Sequence, residues 1–556
     1  MRCRVAKLCC SLILLLAGLV HAEAQEAAPP ELTRLFPPGA QRGQTTLIHI
    51  QGKFLADSVR VWSSVPGLTW TKAEGEGQFQ VVIDPTVDVG AILVRLVDTG
   101  GVSEVLPFVV GHHREINEVE PNDRSDQSQT VPQQPIVING VLQTGGDVDH
   151  FQFALRGGER LVAFLDAERF LKSAVDATLQ LVTTDGQILA QNLDYRGLDP
   201  QVVWVADRDV DVVLRVFGFP AAPDSTISLG GGEKFLYRLH MTTGAVVEAI
   251  APLTLTADRS QRFVRHGWNL PLVAEPLELP ANGTGKAVTL CWPDAMGHLK
   301  VPVVSHSSWL ATEVRLPENR LARADETSNA LSLPATITGN LEQARQVDNL
   351  VVLAPANKQW RVHLEAADLG YAWDPGVEVL QIGDGKQLHR QDDQGSRLDP
   401  DWTWAPSEGV YQLRVFDLHG HGGPHQWYRL SLTEIVPEVS LTVEKTSFGG
   451  KAGEVIEIPV AIDRRHGFAA DLEFELQASD DSSAGNPLVL EPVRSLAGDE
   501  SAKQVSLKVT SAELFNGPIR LLARESALPD RTVEVAVGSI GLDRVWLTVL
   551  PNPPAK

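Results

Sequence analysis

An all-β fold, built of tandem antiparallel β-sandwich domains, follows from three features of this 556-residue chain. Apolar and polar residues alternate with a period of two, turn signals recur at a spacing of roughly ten residues, and one block of sequence occurs twice. Helical stripes are almost absent. The alternation is plain in "TTLIHIQG", "VRVW", "LVAFLDA", "ATLQLVTT", "VVLRVFG", "LRVFDLHG", "VIEIPVAID" and "VSLKVTS", each of which places every second side chain on one face of a strand. "DTGG", "RGGE", "TTDGQ" and "GDGK" supply the turns, a pattern of antiparallel sandwiches rather than of βαβ units.

The chain begins with Arg2, Arg4 and Lys7, an apolar run from Leu8 to Val20, and small residues at Ala22 and Ala24. These are the parts of a secretory signal peptide, expected at 1–24. The run is well short of the ~20 residues that span a bilayer, so export without membrane insertion is expected, to the periplasm, the cell surface or the medium. Cys3, Cys9 and Cys10 leave with the leader and Cys291 stands alone. With no internal disulfide, each domain must be held by its own apolar core. Cys291, between Leu290 and Trp292, reads as a small buried hydrophobe. The formal charge of −22 argues against nucleic acid or anionic lipid as partners, since both require a basic footprint.

The repeat sets the domain boundaries. "RGLDPQVVWVADRDVDVVLRVFG" (196–218) matches "SRLDPDWTWAPSEGVYQLRVFD" (396–417), with Leu198-Asp199-Pro200 against Leu398-Asp399-Pro400 and Leu214-Arg215-Val216-Phe217 against Leu413-Arg414-Val415-Phe416. Asp149 lies 199 residues before Asp348, and Tyr237-Arg238-Leu239 lies 191 before Tyr428-Arg429-Leu430. One domain is thus present twice, the second copy with a shorter final loop. A second pair of segments, "LFPPGAQRGQTTLIHIQGKFL" (35–55) and "IAPLTLTADRSQRFVRHGWNLP" (250–271), matches more weakly. Five modules are expected: module 1 at 30–111, module 2 at 115–245, module 3 at 246–324, module 4 at 325–434 and module 5 at 438–550.

In module 2, "EVEPND", then "GDVDHFQF" and "RGGERLVAFL" resemble the bacterial pre-peptidase C-terminal (PPC) domain, a jelly-roll-like β-sandwich. Module 4 is similar to it in degenerate form. The 35–55 segment of module 1 resembles immunoglobulin-like TIG modules, and modules 3 and 5 are expected to be immunoglobulin-like. The layout is similar to that of exported planctomycete-type proteins. In calcium-binding members of the PPC family the acidic segment and the Asp-x-Asp turn supply oxygen ligands. That resemblance assigns Glu118, Glu120, Asn122, Asp123, Asp147 and Asp149 to a calcium site; a solvated acidic rim is the alternative for the same residues. Calcium takes six to eight hard oxygens, which also relieves the mutual repulsion of clustered carboxylates. In the second copy, "ADETSNALS" (324–332) and "RQVDNLVV" (345–352) keep Asp348 but place Gln346 where Asp147 stood. Module 4 is therefore expected to bind no calcium.

Catalytic signatures are missing from the sequence. "VGSIG" (537–541) is a poor nucleophile elbow, and no HExxH, Walker loop or GxGxxG occurs. A serine or cysteine paired with a distant histidine stays open, because triads assemble in space. "DLHGHGGPHQW" (417–427) clusters His419, His421 and His425 in a glycine-rich loop, read either as an exposed loop or as a zinc or copper site. Trp360, Trp402 and Trp404 read either as aromatic faces for a sugar or peptide or as sandwich core, with core favoured for the face shared by Trp402 and Trp404, whereas Trp373 and Tyr371 in "LGYAWDPG" suggest an exposed loop. These readings combine into a non-catalytic exported binding or scaffolding protein of the cell envelope, calcium-stabilised in its first PPC-like module. Its expected partner is an extracellular or envelope protein or polysaccharide. The alternative is an accessory or substrate-targeting protein of a secreted protease or polysaccharide-degrading system.

Overall fold

The computed structural model describes residues 28–552 apart from 56, 133, 221–227, 272–276, 280–284, 312–329, 394, 396, 479–486, 527 and 539–540. The leader expected at 1–24 and part of the 324–332 segment lie outside the described residues. The regular structure described is nearly all β-strand, with a short α-helix at Glu168–Leu171 and 3-10 turns at Ser125–Gln127 and Glu500–Ala502. The tandem β-sandwich fold is as the alternation predicts. In Thr45–Lys53, Ile48 and Ile50 are buried while Leu47 and His49 face out.

Module 1 pairs Glu31–Phe36, Thr45–Lys53, Gln78–Ile83 and Leu68–Lys72 in one sheet, and Gly39–Gln41, Leu106–Gly111, Gly90–Asp98 and Arg60–Ser63 in the other. Ile48, Phe79, Val81, Val94 and Phe108 fill the space between them.

Modules 2 and 4 have the same topology, strand for strand. In module 2 one sheet runs Glu115–Asn117, Ile136–Val141, Leu236–Thr242, Arg160–Asp166, Gln201–Val205, and the other Gln129–Thr130, Asp149–Leu155, Val210–Pro220, Val175–Thr183, Ile188–Asn192. Module 4 repeats this order from Ser308–Leu310 to Trp427–Glu434. The register agrees as well: Asp149 stands opposite Val216, and Asp348 opposite Val415. The duplicated Leu-Asp-Pro has a structural cause. Asp199, 3% exposed, accepts from the backbone N–H groups of Ala167, Glu168 and Arg169 at 2.8–3.1 Å. Asp399 does the same for Ala366, Ala367 and Asp368. The carbonyls of Pro200 and Pro400 then accept from Leu165 and Leu364. The motif thus closes a turn whose donors would otherwise be buried without partners.

The boundary expected at 325 falls too late. Ser308–Leu310 pairs in parallel with Ala335–Asn340, and Ala311 lies in the core of module 4, so that module begins at the strand from Ser308. Its short first strand carries too little alternation to be seen in sequence. Trp373 is also not exposed. It is 5% accessible and donates Nε1 to the Trp427 carbonyl at 3.1 Å, because its loop folds across the core beside Tyr428. Trp360 and Trp404 are core, as expected, and Trp402 is half-buried under His389.

Module 3 has a small core of Val247, Ile250, Leu255, Phe263, Trp292, Ala295 and Val301. Its first strand, Ala245–Ala251, is covered on both sides. Val246 packs with Val137 and Val162 of module 2, and Ala249 and Ala251 pack with Trp427 of module 4. In module 5, Leu528–Val537 pairs antiparallel with Phe515–Glu525 and then parallel with Glu438–Val443, joining two sheet faces around Leu441, Ile458, Leu507, Ile519 and Leu547. The modules do not form a simple string, since module 5 packs back on module 1. Arg95, 2% exposed, donates to Thr446 Oγ1 at 2.8 Å, Trp62 meets Trp546 edge-on at 5.6 Å, and Asn516 donates to the Asp98 carbonyl at 2.6 Å.

Replacing Asp399 by alanine removes the acceptor for three backbone donors, and we expect a loss of about 1–3 kcal/mol in module 4. Denaturant unfolding followed by tryptophan fluorescence reports on this module, which holds Trp309, Trp360, Trp373, Trp402, Trp404 and Trp427. An unchanged midpoint would contradict the capping role.

Candidate metal centre

The acidic segment after Glu115–Asn117 and the turn before Asp149–Leu155 converge at one end of module 2. Glu120, Asp123 and Asp147 each offer an oxygen, and these lie within 4.8 Å of one another. Glu120 and Asp123 are exposed, whereas Asp147 is 5% accessible. Beneath them lie Asn122 and Asp149, both fully buried. Glu118 occupies the inner side, where it accepts from Val141 N at 2.9 Å and from the Tyr237 hydroxyl at 3.1 Å. All six residues assigned by resemblance are thus gathered at one end of the sandwich, in an exposed layer and a buried one.

Local hydrogen bonds fix this arrangement. Glu120 accepts from Asn122 N at 2.8 Å, and the Asn122 carbonyl accepts from His150 N at 3.1 Å, which ties the acidic turn to the Asp149 strand. Asp147 Oδ2 accepts from Gln143 N, and Asp149 Oδ2 from the Tyr237 hydroxyl. Several polar atoms remain unsatisfied: Asn122 Oδ1 and Nδ2, Asp147 Oδ1 and Asp149 Oδ1 are buried without a hydrogen-bond partner. Such atoms are costly unless a donor or cation meets them. Burial, reinforced by neighbouring carboxylates, pushes Glu118 up to about 8 and Asp147 up to about 6, and raises Asp149 well above the usual carboxylate range. The buried oxygens of Asn122, Asp147 and Asp149 that lack a donor, with the exposed carboxylates of Glu120 and Asp123, form a donor set that fits a hard divalent cation.

In the second copy, protein donors meet the buried acid at the corresponding position. Gln346 Oε1 accepts from Gln343 N at 3.0 Å, as Asp147 does from Gln143. Its Nε2 donates to Asp348 Oδ1 at 2.8 Å and to the Asn340 carbonyl at 3.0 Å, while the Tyr428 hydroxyl reaches Asp348 Oδ2 at 2.7 Å. One amide N–H therefore occupies the role that a cation would take beside Asp149. Tyr237 and Tyr428 were legible as repeat markers, but not as partners of these acids.

The loop histidines do not converge on one point. His419 faces Asp374 at 3.5 Å and His421 faces Asp417 at 3.1 Å, both largely exposed, while His425 turns inward to Glu248 Oε2 at 2.6 Å. Glu248, 3% exposed, is a junction that sequence reading missed. It takes Gln201 Nε2 at 2.7 Å and the Tyr195 hydroxyl at 3.2 Å from module 2, and Trp268 Nε1 at 3.2 Å from its own module. Only the buried run of Ala245–Ala251 interrupted by an acid hinted at it. Cys291 is half-buried, 3.5 Å from Arg42 Nη2 of module 1, and so not wholly in the core.

In chelator, raised carboxyl values leave module 2 fully stable only below the ordinary carboxylate range. Stability is lost as pH rises from the ordinary carboxylate range, where the unfolded chain ionises, up through about 6 and about 8, where the folded carboxyls do. Calorimetric scans should therefore show a melting temperature that falls between about pH 5 and pH 8 in chelator. Calcium at 100-fold above its dissociation constant should restore about 2.7 kcal/mol. Asp147→Gln should copy module 4, reducing both the pH dependence and the calcium response. A calcium response equal to that of the wild type would refute the ligand assignment.

No family model and no curated protein matches the chain. Among solved structures, the fibronectin(III)-like modules of Clostridium thermocellum CbhA are similar at 11% identity over 39% of this chain and 91% of theirs, with a TM-score of 0.14. A structure addressing Dscam isoform specificity is similar at 8% identity over 94% of this chain and all of its own, with a TM-score of 0.18. Bacteroides ovatus SGBP-B, solved with a mixed-linkage heptasaccharide, is similar at 11% identity over 73% of this chain and 74% of its own, with a TM-score of 0.14. Likenesses of this strength carry no argument about ligand or activity.

Proposed function

We propose that the protein is a non-catalytic, exported binding or scaffolding protein of the cell envelope, whose first PPC-like module is braced by one calcium ion. The observation that carries the metal part is the contrast between the two copies. Asp149 Oδ1 is buried without a donor, whereas Asp348 Oδ1 receives Gln346 Nε2. Glu120, Asp123, Asp147 and Asp149 would hold the ion, with Asn122 Oδ1 as a neutral oxygen. The ion would supply positive charge at the corner where the segment leaving module 1 enters module 2.

The scaffolding part is supported by how the chain spends its length. The described segments build sheets, and buried charges are placed at contacts between modules. Arg238, fully buried, donates to both Glu115 oxygens at 2.9 and 2.7 Å and to Asn139 Oδ1 at 3.0 Å, fixing the link that leads into the acidic turn. The leader and the net charge of −22 support an extracytoplasmic protein or polysaccharide as partner.

Calcium titration of the full chain by calorimetry should give one ion per chain. A glycan array and an envelope-protein overlay, each run with and without calcium, should show binding in one of them and no turnover of casein. Two equivalent ions, or none, would overturn the metal assignment. Turnover of casein that survives further purification would overturn the non-catalytic reading.

A further inference from the structure

Six histidines stand where modules 1, 2 and 4 meet module 3, away from the metal centre. His112 and His113, in the link between modules 1 and 2, lie tilted against each other with ring centres 3.9 Å apart, and their Nε2 atoms lie 3.4 and 3.3 Å from the Ala295 carbonyl of module 3. His298 of module 3 lies against Phe170 of module 2 at 5.1 Å. His240 of module 2 stacks on Phe164 and stands 2.9 Å from Asp166. On the other flank, His266 of module 3 packs on Trp427 of module 4 at 4.4 Å, and His425 of module 4 packs on Trp268 of module 3 at 4.5 Å. A cavity lined by His112, His113, His240, His298, Asp166 and Arg169 lies at the first of these junctions.

We propose that these contacts form an acid-released clasp: uncharged His113, His298 and His266 hold module 3 between modules 2 and 4, and their protonation undocks it while the sandwiches stay folded. The surroundings favour this. His113 faces His112 and His240, with Arg42 near His112. His298 faces Asp166, Arg169, His240 and His112, and His266 faces His425. Burial, aided by neighbouring imidazoles and, at His298, by Arg169, brings His113, His298 and His266 each down to about 4. The nearby acids are already engaged. Burial would raise Asp166, yet His240 holds it at about 2, and against the same effect His425 and Arg196 keep Glu248 below the usual range. Asp166 faces His298 as well, but it is already paired with His240 at 2.9 Å, and burial outweighs its attraction.

The small core of module 3 makes it the element that depends most on its neighbours. A histidine depressed in the docked state leaves docking intact above about pH 6.5. It weakens docking as pH falls toward about 4, by up to roughly tenfold per pH unit for each histidine.

Small-angle scattering of the full chain in calcium, from about pH 7.5 to pH 4.5, tests this alongside far-UV circular dichroism. The radius of gyration should rise reversibly before strand signal is lost. A variant carrying His113→Asn, His298→Gln and His266→Gln should shift that midpoint down by about one pH unit or more. Expansion only with loss of strand signal, or the same midpoint in the variant, would overturn the clasp. Should the variant misfold, hydroxyl-radical labelling of Met296, a module 3 side chain buried against Val137 and Val162 of module 2, decides in the unaltered chain. Labelling should rise reversibly below about pH 6 while strand signal persists, and constant labelling would overturn the proposal.

Discussion

A carboxylate taken out of water must be answered by a cation or by hydrogen-bond donors, and this chain answers that demand in several ways. Asp199 and Asp399 use backbone N–H groups, which turns a sequence repeat into a repeated corner. Glu248 draws donors from three modules and so ties their relative positions to one side chain. Asp348 uses the amide of Gln346. At Asp149, with Asp147 and Asn122 beside it, protein donors run short, and under the proposal a metal ion would have a structural task there.

The same constraint shapes the assembly. Among the described residues the one cysteine is free and the core of module 3 is modest, and several buried charges sit at contacts between modules. Arg95 bridges modules 1 and 5, Arg238 fixes the link between modules 1 and 2, and Glu248 joins modules 2, 3 and 4. Geometry held by ion pairs and imidazoles responds to pH and to divalent ions more than one held by apolar packing. Calcium and protons would then act on different corners of the molecule, the first on the acidic end of module 2 and the second on the faces of module 3.

Much of the fold was legible because alternation of period two and turn spacing are local properties. The duplication was legible too, since Leu-Asp-Pro and Tyr-Arg-Leu recur at nearly constant offset. The metal centre's residues were named by motif, and Gln346 was recognised as the altered position. What stayed hidden was long-range. Nothing in the sequence around Glu248 announces that His425, 177 residues later, will be its partner. Trp373 looked exposed because its glycine-flanked loop reads as solvent-facing, yet the loop lies over the core. The start of module 4 was misplaced because Ser308–Leu310 is too short to show a period.

Crystals of the full chain grown with calcium, measured at a wavelength where calcium scatters anomalously, test the account most directly. One anomalous peak among Glu120, Asp123 and Asp147, with none beside Asp348, is the result it predicts. A flat map at the first cluster, or peaks of equal height in both copies, would contradict it.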